Sequence, residues 1–379
     1  MLGAKFDKQF MHGTFQILLK GTMQQTTFLH LSLIPGVGPG TIEKLIQKMG
    51  AIFADQNLYN CTITDFKRFG VTEKTAQLLV DGLKDESLLN QELALIEKHA
   101  VSWYTLVDDE YPQELKETHL PPPVLYVQGS LQEINKSIAF VGARKANQYG
   151  KRVVNQLVPE LVQQGWAIVS GGAYGVDTFA HQAALDAGGK TVSVLGSGLL
   201  QPYPNSNKKL FKTIVESGGA LVSTFPLLME PISGNFPARN RIISGLSRGS
   251  VVVQAAQKSG ALITARYALE QGKSVFAVPG PIDDTLSVGC HGLLQRGAKL
   301  VSSTEDILEE FGIASTRVAL QAQIPQDQDP LLSACFKPQS LGQLAETVNK
   351  TENQVKEELF ELQLLGKIEQ NFAGLWERV

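Results

Sequence analysis

The feature of this 379-residue chain that most restricts its fold is a regular alternation that begins at Ser137. Short apolar runs, several of them rich in β-branched residues, are separated by segments with a helical pattern. Strands that alternate with helices of this length indicate βαβ units, which build a mostly parallel sheet with helices on both faces. We therefore predict an α/β fold with an extended, Rossmann-like, doubly wound sheet. The predicted strands are Ile138–Val141, Ala167–Ser170, Thr191–Leu195, Ala220–Ser223, Val251–Ala255, Ser274–Val278 and Lys299–Ser302.

The chain is longer than one hydrophobic core usually supports, so more than one domain is expected. Residues 1–27 carry no clear periodicity and are predicted to be a tail, with disorder as one interpretation. Residues 28–100 follow a helical pattern and predict a small N-terminal helical domain of the SAM or helix-hairpin-helix type. Residues 101–312 contain the predicted sheet. Residues 313–330 are predicted to be a linker, and residues 331–379 predict three helices and a hairpin, the order of a winged-helix domain.

A glycine-rich turn lies near the start of the helical N-terminal segment. The sequence from Ile34 to Thr41 carries three glycines before the amphipathic run Ile42–Met49, as in a helix-hairpin-helix turn whose backbone N–H groups approach a phosphate. The alternative is a tight turn between two helices without a ligand. Residues 1–134 hold 11 basic and 16 acidic side chains, which favours the alternative.

Between the helical segment and the alternation, three prolines at 121–123 precede the apolar run Val124–Val127. Proline lacks a backbone N–H and is confined to edge strands or strand starts. This pattern predicts a rigid lead into an edge strand of the sheet.

The net charge of −3 hides an uneven distribution along the chain. Residues 135–312 hold 17 basic and 12 acidic side chains, a net charge of +5, whereas the remainder is acidic. This asymmetry predicts an anionic ligand on the sheet domain. No apolar stretch is long enough to span a membrane and no signal peptide is evident, so a cytoplasmic protein without membrane association is predicted.

Four glycine-rich junctions follow predicted strands, where ligands of doubly wound sheets bind. Small residues before a helix leave its first N–H groups accessible, and the helix dipole favours an anion there. Four such sites on one edge could follow a phosphate backbone, while any single one could be a close-packing turn. The junctions are Gly142-Ala143-Arg144, Ser170-Gly171-Gly172-Ala173-Tyr174-Gly175, Gly196-Ser197-Gly198 and Ser259-Gly260.

Basic side chains also stand at these strand ends. Arg144 is placed to bind a phosphate with its guanidinium fork, and Lys208 and Lys209 follow the third strand. Arg239 and Arg241 are two residues apart, so a regular helix cannot direct both at one ligand. We expect one of them to bind phosphate and the other a carboxylate.

Residues for covalent chemistry are not recognisable. Cys290-His291 has no identifiable third partner, no GxSxG motif is present, and neither a GxGxxG nor a P-loop motif has the correct spacing. Asp177 and His181 are interpreted as a helix cap and a packed side chain. The three cysteines are far apart and form no metal-binding pattern, so no catalytic residue, metal or cofactor is predicted.

With these residues identified, the chain resembles the DNA-processing protein DprA (Smf) family of natural transformation. The resemblance rests on Phe140–Arg144, Ser170–Asp177, Val194–Gly198 with Tyr203-Pro204, Phe236–Leu246, Ser259–Ala265 and Val275–Gly280. It implies binding of single-stranded DNA, loading of the RecA recombinase, displacement of single-strand-binding protein, and a homodimer formed through the core. The residues expected to contact nucleic acid are Gly142, Arg144, Ser170, Gly171, Gly172, Gly175, Gly196, Gly198, Asn207, Lys208, Lys209, Phe236, Arg239, Asn240, Arg241, Ser259, Gly260 and Thr264.

The sequence departs from the family pattern where Asn205 replaces a lysine that often follows Tyr-Pro, and Lys208 or Lys209 could compensate. Gln254 replaces a frequent glutamate, which reduces negative charge near the predicted site. The alternative function is a nucleotide-binding protein or a nucleotide phosphoribohydrolase of the lysine-decarboxylase-like superfamily. That enzyme's glutamate is not found near Thr264, so binding is favoured over hydrolysis.

Overall fold

The structure, a computed structural model, describes residues 25–49, 58–132, 134, 136–313, 330–335, 338–364, 367–371 and 374–378. The predicted linker lies almost entirely outside these residues. So does most of the predicted tail, although its last three residues belong to a helix that starts at Gln25. The chain divides into two compact units, one up to Phe311 and one from Gly312.

The first unit is built on a nine-stranded sheet with the order β1-β2-β6-β5-β4-β3-β7-β8-β9. Strands β3 to β9 are parallel to one another, while β2 is antiparallel to both β1 and β6. The mostly parallel, doubly wound sheet predicted from the sequence is therefore confirmed. The strands are β1 (Ser102–Thr105), β2 (Val124–Gly129), β3 (Ser137–Val141), β4 (Ala167–Ser170), β5 (Thr191–Val194), β6 (Ala220–Ser223), β7 (Gly249–Val252), β8 (Ser274–Ala277) and β9 (Lys299–Leu300).

The central strands are buried along their whole length, because helices cover both faces of a parallel sheet. The edge-strand prediction for the segment after the three prolines is wrong. That segment is β2, which pairs on one side with β6 and on the other with β1, a strand without a clear sequence signal. The prolines precede β2, so they remove no hydrogen bond from the sheet.

Helices connect the strands and extend the unit at its N-terminal side. Before the sheet lie α1 (Gln25–Leu33), α2 (Pro39–Met49), α3 (Ile63–Arg68), α4 (Glu73–Lys84) and α5 (Ser87–Lys98), with α6 (Gln113–Lys116) between β1 and β2. The crossover helices are α7 (Gln148–Gln163), α8 (Val176–Asp186), α9 (Lys208–Glu216), α10 (Asn235–Gly245), α11 (Gly260–Glu270) and α12 (Val288–Gln295), and α13 (Thr304–Glu310) follows the last strand.

The N-terminal helices share one hydrophobic core with the sheet. Buried side chains from Phe28 in α1 to Leu293 in α12 belong to a single cluster. Glu92 of α5 is also buried and accepts a hydrogen bond of 2.7 Å from the backbone N–H of Leu227, beyond β6. Burial raises the pKa of the Glu92 carboxyl, while hydrogen bonds from Leu227 and Tyr126 oppose this change. The packing is thus continuous across the predicted boundary at residue 100.

The glycine-rich turn between α1 and α2 lies beside carboxylates. Ile34 and Pro35 line a small cavity of about 280 Å³ together with Asp81 and Asp85. The negative charges of Asp81 and Asp85 disfavour a phosphate beside this turn. This favours the inter-helix turn over the helix-hairpin-helix interpretation.

The second unit contains α14 (Pro330–Ala334), α15 (Leu341–Val348), α16 (Glu352–Leu364) and an antiparallel pair, β10 (Ile368–Gln370) with β11 (Trp376–Arg378). This is the element order predicted for the winged-helix domain. Leu344, Val355, Leu359 and Leu362 are buried in a separate small core. No helix among the described residues of either unit is long and apolar enough to cross a membrane.

Candidate nucleic-acid interface

A cavity of about 460 Å³ lies at the carboxyl ends of β3 and β7. The chain runs from β3 through β4, β5 and β6 on one side and then returns to place β7 on the other side of β3. The order of strands therefore reverses between β3 and β7, and such a reversal opens a crevice where doubly wound sheets bind ligands. The turn after β3, the start of α10 and the start of α11 all line the cavity.

The turn after β3, residues Gly142 to Lys145, has accessible backbone donors and is called the open turn below. These four residues line the cavity, and their backbone N–H groups donate to no acceptor among the residues that the structure describes. Consecutive unpaired N–H groups form a concave site for an anion. Arg144 and Lys145 are both exposed, and neither forms an ion pair within the described part of the chain. The turn thus offers backbone donors and two cations to a ligand.

A buried amide fixes the end of this turn. Gln254, which is 1% exposed, accepts a hydrogen bond of 3.1 Å from the N–H of Asn147 and donates one of 2.9 Å to the Asn147 side chain. Asn147 in turn caps α7 by accepting from the N–H of Gly150. Gln254 therefore holds the end of the turn in place through Asn147. The sequence predicts only the loss of a negative charge at this position, and not this packing role.

Phe236 of α10 lines the cavity and is close to two guanidinium groups. The Arg144 guanidinium is 5.5 Å from the ring centroid, and that of Arg239 is 5.8 Å from it. The ring of Tyr203 meets Phe236 edge to face at 5.9 Å. Cation–π contacts of this kind orient a guanidinium without consuming its N–H donors. Arg144 is therefore positioned by Phe236 and keeps its hydrogen-bonding groups for a ligand.

Arg239 has a different environment, although it lines the same cavity. Its side chain is buried, and its Nη1 donates to the backbone carbonyls of Gly171 and Val194, at the ends of β4 and β5. Burial lowers the pKa of Arg239 to about 10, an effect that Asp177 opposes and Arg144 increases. Arg239 therefore joins two strand ends as well as contributing charge to the cavity.

The glycine-rich turn after β4, residues 170–175, already has an anion bound to it. Both the Gly171 N–H and the Ala173 N–H donate to Oδ2 of Asp177, at 3.1 and 3.2 Å. Burial raises the pKa of the Asp177 carboxyl, while Arg239 and these N–H groups oppose the change. The helix-cap interpretation of Asp177 needs correction, because the carboxylate binds the preceding turn. This turn consequently has two fewer N–H groups for a phosphate than the sequence predicts.

The other residues predicted in this turn have packing roles. Ser170 is buried and donates to the carbonyl of Phe140 at 2.6 Å. Gly172 has a φ of +65° and packs beside Ser193 and Phe211, where a side chain would collide. Gly175 has a φ of +74° and lies against the backbone carbonyls of Ala143 and Arg144. The prediction that these residues contact nucleic acid directly therefore lacks structural support.

The start of α11 contributes a third side of the cavity. Ser259 caps the helix by accepting from the N–H of Ala261, and Asn240 donates to the Gly260 carbonyl at 3.2 Å. Thr264, one turn further along, lines the cavity and is 1% exposed, and its hydroxyl has no hydrogen-bond partner in the structure. Buried hydroxyl groups are normally paired, so this one is free to form a hydrogen bond that the described residues do not supply.

The structure brings eight of the predicted contact residues together around the cavity and leaves ten outside its lining. The eight are Gly142, Arg144, Phe236, Arg239, Asn240, Ser259, Gly260 and Thr264. Gly196 lies directly behind Phe236, where any side chain would displace the ring. Lys208 and Lys209 are exposed at the start of α9.

Three further predicted contact residues form internal hydrogen bonds, and their contact with nucleic acid stays a prediction. Gly198 uses its N–H on the carbonyl of Met229 at 2.8 Å and packs against neighbouring backbone. Asn207 is buried and donates to the Gly172 carbonyl at 3.0 Å and to the Thr178 hydroxyl at 2.9 Å. Arg241 donates to the carbonyls of His119, at 2.9 Å, and Leu120, so it binds backbone and not the carboxylate or phosphate expected of it.

Two charged residues of the cavity lining, Lys145 and Asp177, are not among the contact residues predicted from the sequence. Lys145 is adjacent to Arg144 in the same loop, and this position after a strand could have identified it. Asp177 could not be assigned, because its hydrogen bonds depend on the path of the turn before it. In the described part of the chain, no cluster of three or more His, Cys, Asp or Glu could hold a metal ion.

Comparison with known proteins agrees with this geometry. A family model for DNA recombination-mediator protein A matches residues 102–312, which include every strand of the large sheet. Protein Smf of Escherichia coli is 47% identical over 206 residues, 54% of this chain and 55% of that protein. DNA processing protein DprA of Streptococcus pneumoniae is 44% identical over 209 residues, 55% of this chain and 73% of that protein.

Solved structures extend the match. The X-ray structure of DprA from S. pneumoniae superposes with a TM-score of 0.66 and 34% identity, covering 76% of this chain and 98% of that one. A structure of DNA processing protein A from Helicobacter pylori, reported for its single-stranded DNA binding mode, superposes with a TM-score of 0.50 and 29% identity. The match covers 56% of this chain and 95% of that one. From the family match, the sheet topology and the cavity between β3 and β7, we conclude that this chain belongs to the DNA recombination-mediator protein A (DprA/Smf) family.

Proposed function

We propose that this chain binds single-stranded DNA at the cavity between β3 and β7 and delivers it to a RecA-type recombinase without covalent chemistry. The observation that carries the proposal is the open turn Gly142–Lys145, which combines unpaired backbone N–H groups with the exposed cations Arg144 and Lys145. These groups suit a phosphate, and they carry no information about base sequence.

The proposal includes additional contacts outside the cavity. Lys208 and Lys209 occupy the first turn of α9, where the helix dipole disfavours positive charge by about 0.3–1 kcal/mol. A phosphate nearby would remove this penalty. These lysines therefore offer a second position for the DNA backbone, in the region where Asn205 departs from the family pattern.

Binding is favoured over hydrolysis because of the state of Asp177. Asp177 is the carboxylate among the described residues that line the cavity. Its side chain is buried and accepts hydrogen bonds from the N–H groups of Gly171 and Ala173. A general acid or base must reach the group whose proton it transfers. The phosphoribohydrolase alternative lacks such a group in the described lining.

Delivery of DNA to a recombinase is proposed from the family, whose description is that of a DNA recombination mediator. The matched segment is about half the length of the E. coli relative, so partners of the complete relatives extend to this chain only as proposals. We include among them RecA, single-strand-binding protein and a second copy of the chain, in the cytoplasm.

The test is a titration of the full chain with a labelled single-stranded oligonucleotide at several salt concentrations. We expect the affinity to fall with salt, with a log–log slope of about −0.7 for each neutralised phosphate. Arg144→Ala should weaken binding by about ten-fold or more, about 1.4 kcal/mol, for oligonucleotides of any sequence. Arg266→Ala is the matched control, because Arg266 is exposed on α11, pairs with Glu270 and lies outside the cavity lining.

The proposal fails if affinity does not depend on salt, if blunt duplex binds equally well, or if Arg144→Ala binds as tightly as Arg266→Ala. Release of phosphate or free base from nucleotides at enzymatic rates would instead establish the hydrolytic alternative.

A further inference from the structure

We propose that the cavity between β3 and β7 is a receptor for one terminal nucleotide of a DNA strand, with its phosphate monoester bound between the Gly142–Lys145 turn and Thr264. This inference rests on the proposed function and names which part of the DNA the cavity takes. The ligand is a strand end that carries a terminal phosphate, as distinct from a phosphodiester within the strand.

The first argument is charge. The lining contains three cations, Arg144, Lys145 and Arg239, and one carboxylate, Asp177, which gives a net charge of +2. A phosphate monoester carries about −2 at neutral pH, whereas each phosphodiester carries −1. Because Asp177 and Arg239 are both buried, the accessible charges of the lining are the cations Arg144 and Lys145. The site therefore matches the charge of a terminal phosphate.

The second argument is the number of donors. Residues Gly142 to Lys145 and Thr264 all line one cavity, so backbone N–H groups, the Arg144 guanidinium and a hydroxyl are brought close together. A monoester has three terminal oxygens that accept hydrogen bonds strongly, and a diester has only two that are not esterified. The buried hydroxyl of Thr264 is the most informative of these donors, since it is 1% exposed and has no hydrogen-bond partner among the protein groups that the structure describes. A third terminal oxygen would give it a partner.

The third argument is size and shape. A volume of about 460 Å³ is within the range of cavities that enclose a single small ligand. Apolar side chains complete the lining, including Phe236, Ile243 and Leu286. The Arg144 guanidinium lies 5.5 Å from the centroid of the Phe236 ring, and an aromatic ring or a guanidinium gives a base a surface on which to stack. The cavity thus has separate places for a phosphate and for one base.

The experiment compares three single-stranded oligonucleotides of the same sequence, with a 5′-phosphate, a 3′-phosphate or hydroxyl groups at both ends. The full chain is titrated with each at the same salt concentration. We expect one of the phosphorylated strands to bind at least about ten-fold more tightly than the hydroxyl-ended strand, and the comparison identifies which end enters.

Substitutions at Thr264 then locate the effect. Thr264→Val retains the side-chain shape without the hydroxyl, and it should reduce the preference for the phosphorylated end to less than about three-fold. Thr264→Ser retains the hydroxyl and should keep the preference, which distinguishes a lost contact from a folding defect. Thr304→Val is the matched control, because Thr304 on α13 is also buried with an unpaired hydroxyl but does not line the cavity.

Equal affinities for all three strands, with salt-dependent binding that Arg144→Ala weakens, would overturn the inference and leave the proposed function intact. The inference would also be overturned if Thr304→Val reduced the preference as much as Thr264→Val. Failure of every strand to bind would remove the proposed function itself.

Discussion

The turn after β3 and the turn after β4 lie side by side at the same edge of the sheet, and both combine small residues with a following helix. In the first, Gly142–Lys145, the backbone N–H groups have no acceptor among the described residues and the side chains are cationic. In the second, Gly171 and Ala173 donate to the buried carboxylate of Asp177. The same type of turn can therefore receive an external anion or hold an internal one.

The difference has a physical consequence for Gly171. Asp177 accepts from its N–H, while Arg239 donates to its carbonyl, so the two successive peptide groups that flank Gly171 are held by side chains of opposite charge. This arrangement rigidifies the turn after β4 and uses the buried charges for structure. The turn after β3 lacks such a clamp, and its charges stay accessible. The turn after β4 is thus held by internal hydrogen bonds, and the adjacent turn after β3 provides the accessible donors.

The largest expected effect comes from removing the internal anion. Asp177→Ala leaves the N–H groups of Gly171 and Ala173 without their acceptor. A buried donor without a partner costs about 1–3 kcal/mol. We expect the free energy of unfolding, measured by urea denaturation, to fall by at least about 2 kcal/mol for the two donors together.

Asp186→Ala is the control for this substitution, because Asp186 is exposed at the end of the same helix and should change stability by less than about 0.5 kcal/mol. Equal losses of unfolding free energy in the two variants would mean that the Asp177 carboxylate does not stabilise the turn after β4.

An intermediate effect should appear as a pH dependence of stability. His181 is buried on α8 below the turn after β4, and its burial, with a smaller effect of Arg239, lowers its pKa to about 3. The unfolded chain, with a histidine pKa of about 6.5, binds one more proton than the folded chain between these values. This histidine therefore makes stability fall as pH falls below about 6.5, by about 1 kcal/mol per pH unit, and contributes no slope above it.

The measurement is the free energy of unfolding as a function of pH for the unsubstituted chain and for His181→Gln. The variant should have a shallower slope in the acid window, whatever its absolute stability. His99→Gln, at an exposed position after α5, should keep the slope of the unsubstituted chain. Identical slopes for all three proteins would show that burial in the folded chain does not disfavour protonation of His181.

The smallest effect is expected when the C-terminal unit is deleted. A small change in affinity would support the proposal that the open turn, and not this unit, binds DNA. The segment 331–379 holds five basic and seven acidic side chains, and Glu352, Glu357, Glu358 and Glu361 lie on α16. Such a helix repels a phosphate backbone, unlike the recognition helix of a winged domain that reads DNA. Deletion of 313–379 should therefore leave the affinity for single-stranded DNA within about three-fold, about 0.7 kcal/mol.

This deletion is measured with the same labelled oligonucleotide as the full chain. A ten-fold loss in a deletion variant that remains folded would assign part of the DNA contact to the C-terminal unit. The thermal unfolding of the variant serves as the control for folding.

Much of the fold could be predicted from the sequence because the parallel strands are buried on both faces and appear as short apolar runs. The runs predicted at Ala167–Ser170 and Ala220–Ser223 match β4 and β6 to the residue. The run predicted at Val251–Ala255 starts two residues late, since β7 begins with Gly249 and Ser250, which are not typical of strands. β1 was not found, because its burial depends on packing against β2 and the N-terminal helices.

The sheet, its direction and the strand ends at which an anion could bind are predictable from local periodicity and from the positions of glycines and cations. Which donors remain accessible depends on the packing of distant segments. Asp177 binds the turn after β4 and Arg241 binds the carbonyls of His119 and Leu120, whereas Arg144 is left exposed beside Phe236. The reason is that a backbone N–H or a guanidinium binds whichever acceptor the fold brings within hydrogen-bonding distance, and that acceptor can be far away in the sequence.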